Sequence, residues 1–341
     1  MPQDADYALV VGINHYPGFR NLNGAIEDAQ DFAKWIYEDA DGGGLPQQNC
    51  KVVVSQPNPL RPIQDEIDDA LSAIFRAIGA NRGRRFYFYF SGHGLGQSNL
   101  GADLCLARWS FEFRRAALDS LDYLKLILGS GKFDEVVFFL DCCRVRQISA
   151  SGLPSTLGFA RPDDMAGHGK QFIGYATEFQ NSAYEAAVST GSDIADAPVV
   201  RGHFTRALMN GLRGGAASGA GGVPATQLKE YLEAETPRIA AAAKQSQVPE
   251  IVNGLPSNPQ AVFGNFKPLA QINVTITFTA ARHGPIVLEG PDLTEIRRGP
   301  SGEGPWTVPL GTGWHALRDL GNGGETTFRV GSEGEVRNVQ F

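Results

Sequence analysis

RFYFYFSGHG at 85–94 and EVVFFLDCCR at 135–144 decide how this chain folds. Each begins as a run of β-branched and aromatic residues, a composition that suits a packed, pleated surface. Each then stops on small or polar residues, Ser91-Gly92-His93-Gly94 in one and Asp141-Cys142-Cys143-Arg144 in the other. Between them 118–130 has helical patterning, the crossover that parallel strands need. Parallel strands bring their carboxyl ends to one crevice, where binding sites form. Neighbouring strands would thus put His93 and a cysteine at the same edge of a sheet.

The alternation continues outward from this pair. Residues 7–12 (YALVVG), 51–55 (KVVVS) and 171–176 (QFIGYA) read as further strands. Helices are expected over 23–38, with Asn23 as N-cap, and beyond Pro62, with Ile63, Ile67, Leu71 and Ile74 as the buried stripe. Two more are expected near 203–213 and over 226–243. The pattern predicts an α/β fold, a mostly parallel sheet flanked by helices. GLRGGAASGAGGVP at 211–224 reads as a flexible loop, and 244–268 as irregular with a short strand at 260–264. From 271 the texture changes. INVTITFTA alternates, and WTVPL (306–310), ETTFRV (325–330) and EVRNVQF (335–341) are short β runs between glycine-rich turns. Two domains follow, 1–268 and a small all-β sandwich or barrel at 269–341.

Composition narrows the function classes. Of 341 residues 42% are apolar, enough for a sizeable core. Thirty basic against 37 acidic residues give −7, which argues against a nucleic-acid surface. No basic, then apolar leader opens the chain and no apolar run approaches 18 residues, so a cytoplasmic protein without a membrane span is expected. The 41 glycines show no three-residue period, which excludes collagen. The four cysteines, Cys50, Cys105, Cys142 and Cys143, form neither a disulfide framework nor a zinc spacing. There is no GxxxxGK[ST] to cradle phosphate and no GxSxG nucleophile elbow. What remains is a cysteine–histidine pair. It can form a thiolate nucleophile for acyl transfer, with the histidine protonating the leaving amine.

His93 lies 50 residues before Cys143. Caspases place their histidine about 50 residues before the cysteine of Q-A-C-[RQG]-G. The local match is partial: Arg144 follows Cys143, but Asp141 and Cys142 replace Gln and Ala, and Val145 replaces Gly. YALVVGIN (7–14), NLNGAIEDA (21–29), FSGHG (90–94) and RGHFTRAL (201–208) extend the match. Over roughly 5–265 the chain resembles caspase-like cysteine peptidases, closest to the metacaspase branch and its bacterial orthocaspase members.

The resemblance implies that Cys143 is the nucleophile and His93 the acid/base, with the Gly94 and Cys143 amides binding the oxyanion. It leaves Cys142 as a small buried residue. It also implies that Asp28 and Asp141 line the first specificity pocket and accept Arg or Lys before the scissile bond. Paired carboxylates suit a buried guanidinium. Tyr184 and Glu185 match a segment near the substrate groove, with packing the equal alternative for the aromatic. The expected partner is a protein or peptide substrate, with a regulatory protein a candidate for 269–341. No cofactor is required. Calcium activates some relatives, and Asp163, Asp164 and Asp193 are the acidic candidates here, without an EF-hand pattern. A cleavable linker would match 145–170 or 178–202, with Arg144, Arg146, Arg161, Lys170 and Arg201 as basic positions for self-cleavage. Trp306 and Trp314 are open between core packing and a contact patch. The competing reading is a catalytically silent caspase-like scaffold.

Overall fold

The structure is a computed structural model. It describes residues 3–341 except 19, 40, 97–100, 146–151, 159–169, 189–198, 218–221, 258–260, 265–271, 280–283, 291–294, 312 and 331–337. The chain runs β1 (Asp6–Gly12), α1 (Ala25–Tyr37), β2 (Cys50–Val54), α2 (Gln64–Ile78), β3 (Gly83–Ser91), β4 (Gly94–Leu95), β5 (Asp103–Cys105), β6 (Ala117–Asp119), α3 (Ser120–Gly129) and β7 (Phe133–Asp141). It continues through β8 (Lys170–Tyr175), β9 (Glu185–Val188), β10 (Val199–Gly202), α4 (His203–Asn210), α5 (Ala225–Ala242) and β11 (Glu250–Asn253). The central sheet has the order β11-β8-β7-β3-β1-β2, parallel except for the antiparallel β11.

The alternation inside RFYFYF sets its two faces. Phe86, Phe88 and Phe90 pack toward α2 and α3 with Ile67, Leu71, Ile74 and Tyr123. Tyr87 and Tyr89 point the other way, against Phe32 of α1, Phe204 and Leu208 of α4, and Leu228 of α5. Both faces are covered, so these strands are apolar along their whole length.

Several local expectations change. Asn23 does not cap α1. Glu185 accepts the Asn23 and Gly24 N–H groups, and Asn14 Oδ1 accepts that of Ile26 at 3.1 Å. Pro62 stands just before α2, and Glu66 closes the helix start by accepting the Ile63 N–H at 2.7 Å. Residues 211–215 are not a loose loop. They form a buried π-helical turn that continues α4, with Gly214 in a positive-φ conformation at 120°.

Beyond 271 two small sheets pack around one core of their own. Their strands are β12 (Ile272–Thr277), β13 (Pro285–Glu289), β14 (Glu295–Pro300), β15 (Trp306–Leu310), β16 (Gly313–Asp319), β17 (Glu325–Val330) and β18 (Asn338–Gln340). The sheet orders are β15-β12-β18 and β14-β13-β16-β17. Trp306 is fully buried between them with Leu288, Leu317 and Phe341. The Trp314 side chain lies outside the described residues.

Candidate active site

β3 and β7 run side by side in parallel, with Ser91 opposite Asp141. One further bond, Gly92 N–H to Asp141 O at 3.2 Å, keeps the two chains in step past the last pair. His93 and Cys143 each lie two residues beyond those strand ends, on the rim of a cleft of about 280 Å³. Asp28, Asp141, Tyr184 and Glu185 line the same cleft. Gly94 is required by close approach: a Cβ there would sit 2.6 Å from Cys142 Sγ and 2.7 Å from Cys143 O. The bond from Cys105 N–H to His93 O makes Gly94 and Leu104 a non-hydrogen-bonded pair of the β4–β5 ladder. That register turns the Gly94 N–H away from β5, to the side on which Gly96 N–H donates to Val145 O at 3.0 Å.

The His93 ring is fixed from three directions. Its backbone N–H donates to Tyr16 Oη at 2.9 Å, and its ring meets the Tyr16 ring edge-on at 4.7 Å. Its Nε2 lies 2.7 Å from Arg20 O. A carbonyl only accepts, so Nε2 carries the hydrogen, and in the neutral ring Nδ1 is the basic nitrogen. Burial lowers the His93 pKa, against the opposing pull of the Arg20 carbonyl. Burial raises that of the Cys143 thiol, partly offset by hydrogen bonding at Ala183. Ala183 N–H donates to Cys143 Sγ at 3.3 Å, and the thiol faces Ala183 O at 3.5 Å. Both shifts favour the uncharged forms, thiol and neutral imidazole.

The segment after the cysteine is held from below. Arg144 is fully buried, pairs with Glu250 of β11, and stacks over the Tyr175 ring at 4.1 Å. Its backbone exchanges bonds with Asn181 O and Gln180 N–H. This removes Arg144 from the accessible cleavage positions. Arg201 is likewise engaged, in ion pairs with Asp28 and Asp31. Lys170 opens β8, exposed, while Arg146 and Arg161 lie outside the described residues. Cys142 is 2% exposed and packs in the core, as expected of the inward-facing cysteine.

Asp28 and Asp141 are both buried and meet at Gly202. Asp28 Oδ2 accepts the Gly202 N–H at 2.9 Å. Asp141 Oδ2 accepts from Thr205 twice, from N–H at 3.0 Å and from Oγ1 at 2.7 Å. Because that hydroxyl proton goes to Asp141, the Tyr89 hydroxyl is the donor in its 2.5 Å contact with Thr205. Burial raises the pKa of both carboxyls. Arg201 opposes the rise at Asp28, and the Thr205 bonds oppose it at Asp141. The sequence did not single out Thr205, and marked Arg201 only as a basic position for self-cleavage. The Arg20 carbonyl had no signal, since a backbone acceptor has no residue type.

Asp163, Asp164 and Asp193 lie outside the described residues. Among those described, no three His, Cys, Asp or Glu side chains gather to hold a metal ion. No described helix is long and apolar enough to cross a membrane.

A probable protease from a Desulfuromonadales bacterium is 34% identical over 235 residues, 61% of this chain. The match takes in only about a quarter, 26%, of that relative's length. Among solved structures, caspase-1 from Spodoptera frugiperda superposes with a TM-score of 0.49 at 14% identity, covering 78% of this chain and 92% of its own. Pro-sf-caspase-1 does so at 0.42 and 12%, covering 75% and 93%. The caspase-domain family description matches residues 5–258, a span that takes in both strands of the opening pair, the cleft between them and every residue lining it. On that match the chain belongs to the caspase family of cysteine peptidases.

Proposed function

We propose that this chain is a cysteine endopeptidase that cuts after Arg or Lys, with Cys143 as nucleophile and His93 as acid/base. The observation that carries this reading is the convergence of Cys143, His93, Asp28 and Asp141 on one cleft. The substrate's basic side chain enters between the two carboxylates, which desolvate it only because they replace its water with charge-assisted bonds. Cys143 Sγ attacks the scissile carbonyl carbon while its proton passes to His93 Nδ1. The resulting imidazolium is stabilised by its Nε2–H bond to Arg20 O. The carbonyl electrons move onto oxygen, toward the Gly94 and Cys143 N–H groups. Collapse expels the amine, which takes the proton from His93, and leaves a thioester on Cys143. Water, deprotonated by His93, then hydrolyses the thioester and restores the thiol.

The test is hydrolysis of peptides that differ only in Arg, Lys or Asp before the scissile bond. Cys143→Ala should lose about 10⁴-fold in kcat and His93→Ala about 10³-fold, with folding intact by circular dichroism. Turnover that survives Cys143→Ala removes the nucleophile assignment, and preference for Asp removes the acidic pocket. The chemistry needs no metal, so EDTA should leave turnover within about twofold. A loss that calcium restores would overturn the metal-free reading.

A further inference from the structure

Asp28 and Asp141 approach Gly202 so closely that a Cβ there would collide with Asp141 Oδ2 and lie 3.0 Å from Asp28 Oδ2. Two buried carboxylates at this range do not both ionise unless a cation compensates them; otherwise one keeps a proton. The groups that surround them come from five elements. Asp31 lies on α1, Glu185 on β9, the Thr205 donors on α4, the Tyr89 hydroxyl on β3 and Arg201 on β10. Arg201 is the one cation among these described neighbours.

Arg201 reaches Asp28 from behind. Its Nε lies 3.0 Å from Asp28 Oδ1, its Nη1 donates to Glu27 O at 3.2 Å, and its Nη2 pairs with Asp31. It is absent from the residues that line the cleft, whereas Asp28 and Asp141 are present. Arg201 therefore does not take the cleft side of the carboxylates; Arg20 lines the same cleft but is not among the charges that act on either carboxyl. Asp31 is shared: Arg213 grips both of its oxygens, at 2.7 and 3.0 Å, and also pairs with Asp39 at 3.1 Å. Arg213 thus satisfies much of Asp31, which leaves the charge of Arg201 to act on Asp28.

We propose that Arg201 is the positioning residue that sets the charge of the specificity pocket: it favours ionisation of Asp28 beside Asp141 when a substrate cation enters, so that the two carboxylates and Arg201 together present one net negative charge to that cation. This rests on the reading of the cleft as a basic-residue pocket. Arg201 supplies the charge balance without occupying the space. Lys at 201 would keep the charge and lose the bonds to Glu27 and Asp31; Gln would lose the charge.

The test is the pH dependence of kcat and KM, from pH 5 to 9, for a matched Arg peptide. In Arg201→Gln the acid limb of 1/KM should move up by about one pH unit or more, because the uncompensated carboxyl pair retains a proton. KM at pH 6 should rise about tenfold, while the kcat limb set by His93 stays in place. Arg201→Lys should return the 1/KM limb to its wild-type position. Asp31→Asn tests the same point with the opposite sign: it removes a like charge and a competitor for Arg201, so the limb should move down. An unmoved limb in folded Arg201→Gln, or an unmoved or raised limb in Asp31→Asn, overturns the inference while the pocket reading stands. Wild-type indifference to Arg against a neutral isostere such as citrulline overturns the pocket reading, and this inference with it.

Discussion

Gly202 shows how little space the pocket leaves. Its φ is −65°, which any residue adopts, so backbone freedom is not the reason for glycine. The reason is the carboxylate of Asp141 in the place of a Cβ. Gly202→Ala should raise KM for Arg peptides at least about tenfold and cost about 2 kcal/mol of stability, as overpacking does. Steady-state kinetics and urea denaturation measure both. Asp103 carries a different liability. It is 1% exposed, and burial lifts its carboxyl pKa to about 7, against one opposing bond from Gly152. A raised carboxyl pKa stabilises the fold at low pH, and that contribution fades as pH rises from about 4 through 7. Asp103→Asn should therefore match wild type near pH 4 and exceed it by about 1–2 kcal/mol at pH 8. A constant difference across that range would discount the buried charge. That His93, Cys143, Asp28 and Asp141 come to one cleft was legible because each sits in or beside a short local pattern. The parts played by Arg201 and Thr205 were not, because they bond Glu27 and Asp141, 174 and 64 residues away. No local spacing encodes such contacts.

At the level of elements, the start of α1 is finished from a distance. Glu185 on β9 accepts the N–H groups of Asn23 and Gly24, 162 and 161 residues away, where the helix dipole also favours negative charge. Asn23 has the residue type of a cap, but the chain closes the helix with Asn14 and Glu185 instead. Glu185→Ala should cost about 1 kcal/mol and lower the thermal midpoint. Glu185→Gln, which still accepts a hydrogen bond, should cost less. Equal losses would assign the effect to charge alone. The five parallel strands were legible from their apolar runs. β11 was not, because EIVN is four residues long and sits at the sheet edge, half exposed. The turn at 211–215 was misread for a related reason. Gly211 packs against the Leu228 and Tyr231 side chains and Gly215 against Tyr231, with Cβ distances near 3 Å, so they serve packing and not looseness.

Across the whole molecule, the change of texture at 271 marks a second core, but not an unattached one. The end of the β13–β16–β17 sheet meets α4 and α5 through three guanidiniums and three carboxylates. Arg206 Nη2 lies 2.9 Å from Glu325. Arg238 pairs with Glu235 and reaches Glu289 at 3.3 Å and Glu325 at 3.7 Å. Arg318 lies 3.5 Å from both Glu289 and Glu325. Charges balance, and Glu325, at 8% exposed, is the acid of the cluster most dependent on its arginine partners after Glu235. Glu325 alone touches all three arginines. Glu325→Gln should therefore remove about 2 kcal/mol, seen as a lower urea midpoint, since the loss falls on bonds to charged groups. Because Thr205 holds Asp141 with its own N–H and hydroxyl, not through Arg206, kcat/KM for Arg peptides should stay within about threefold. A large fall in kcat/KM with an unchanged urea midpoint would mean that the β domain bears on the cleft through α4. An unchanged midpoint with unchanged kinetics would mean that the six charges hold the two cores together no better than neutral packing does.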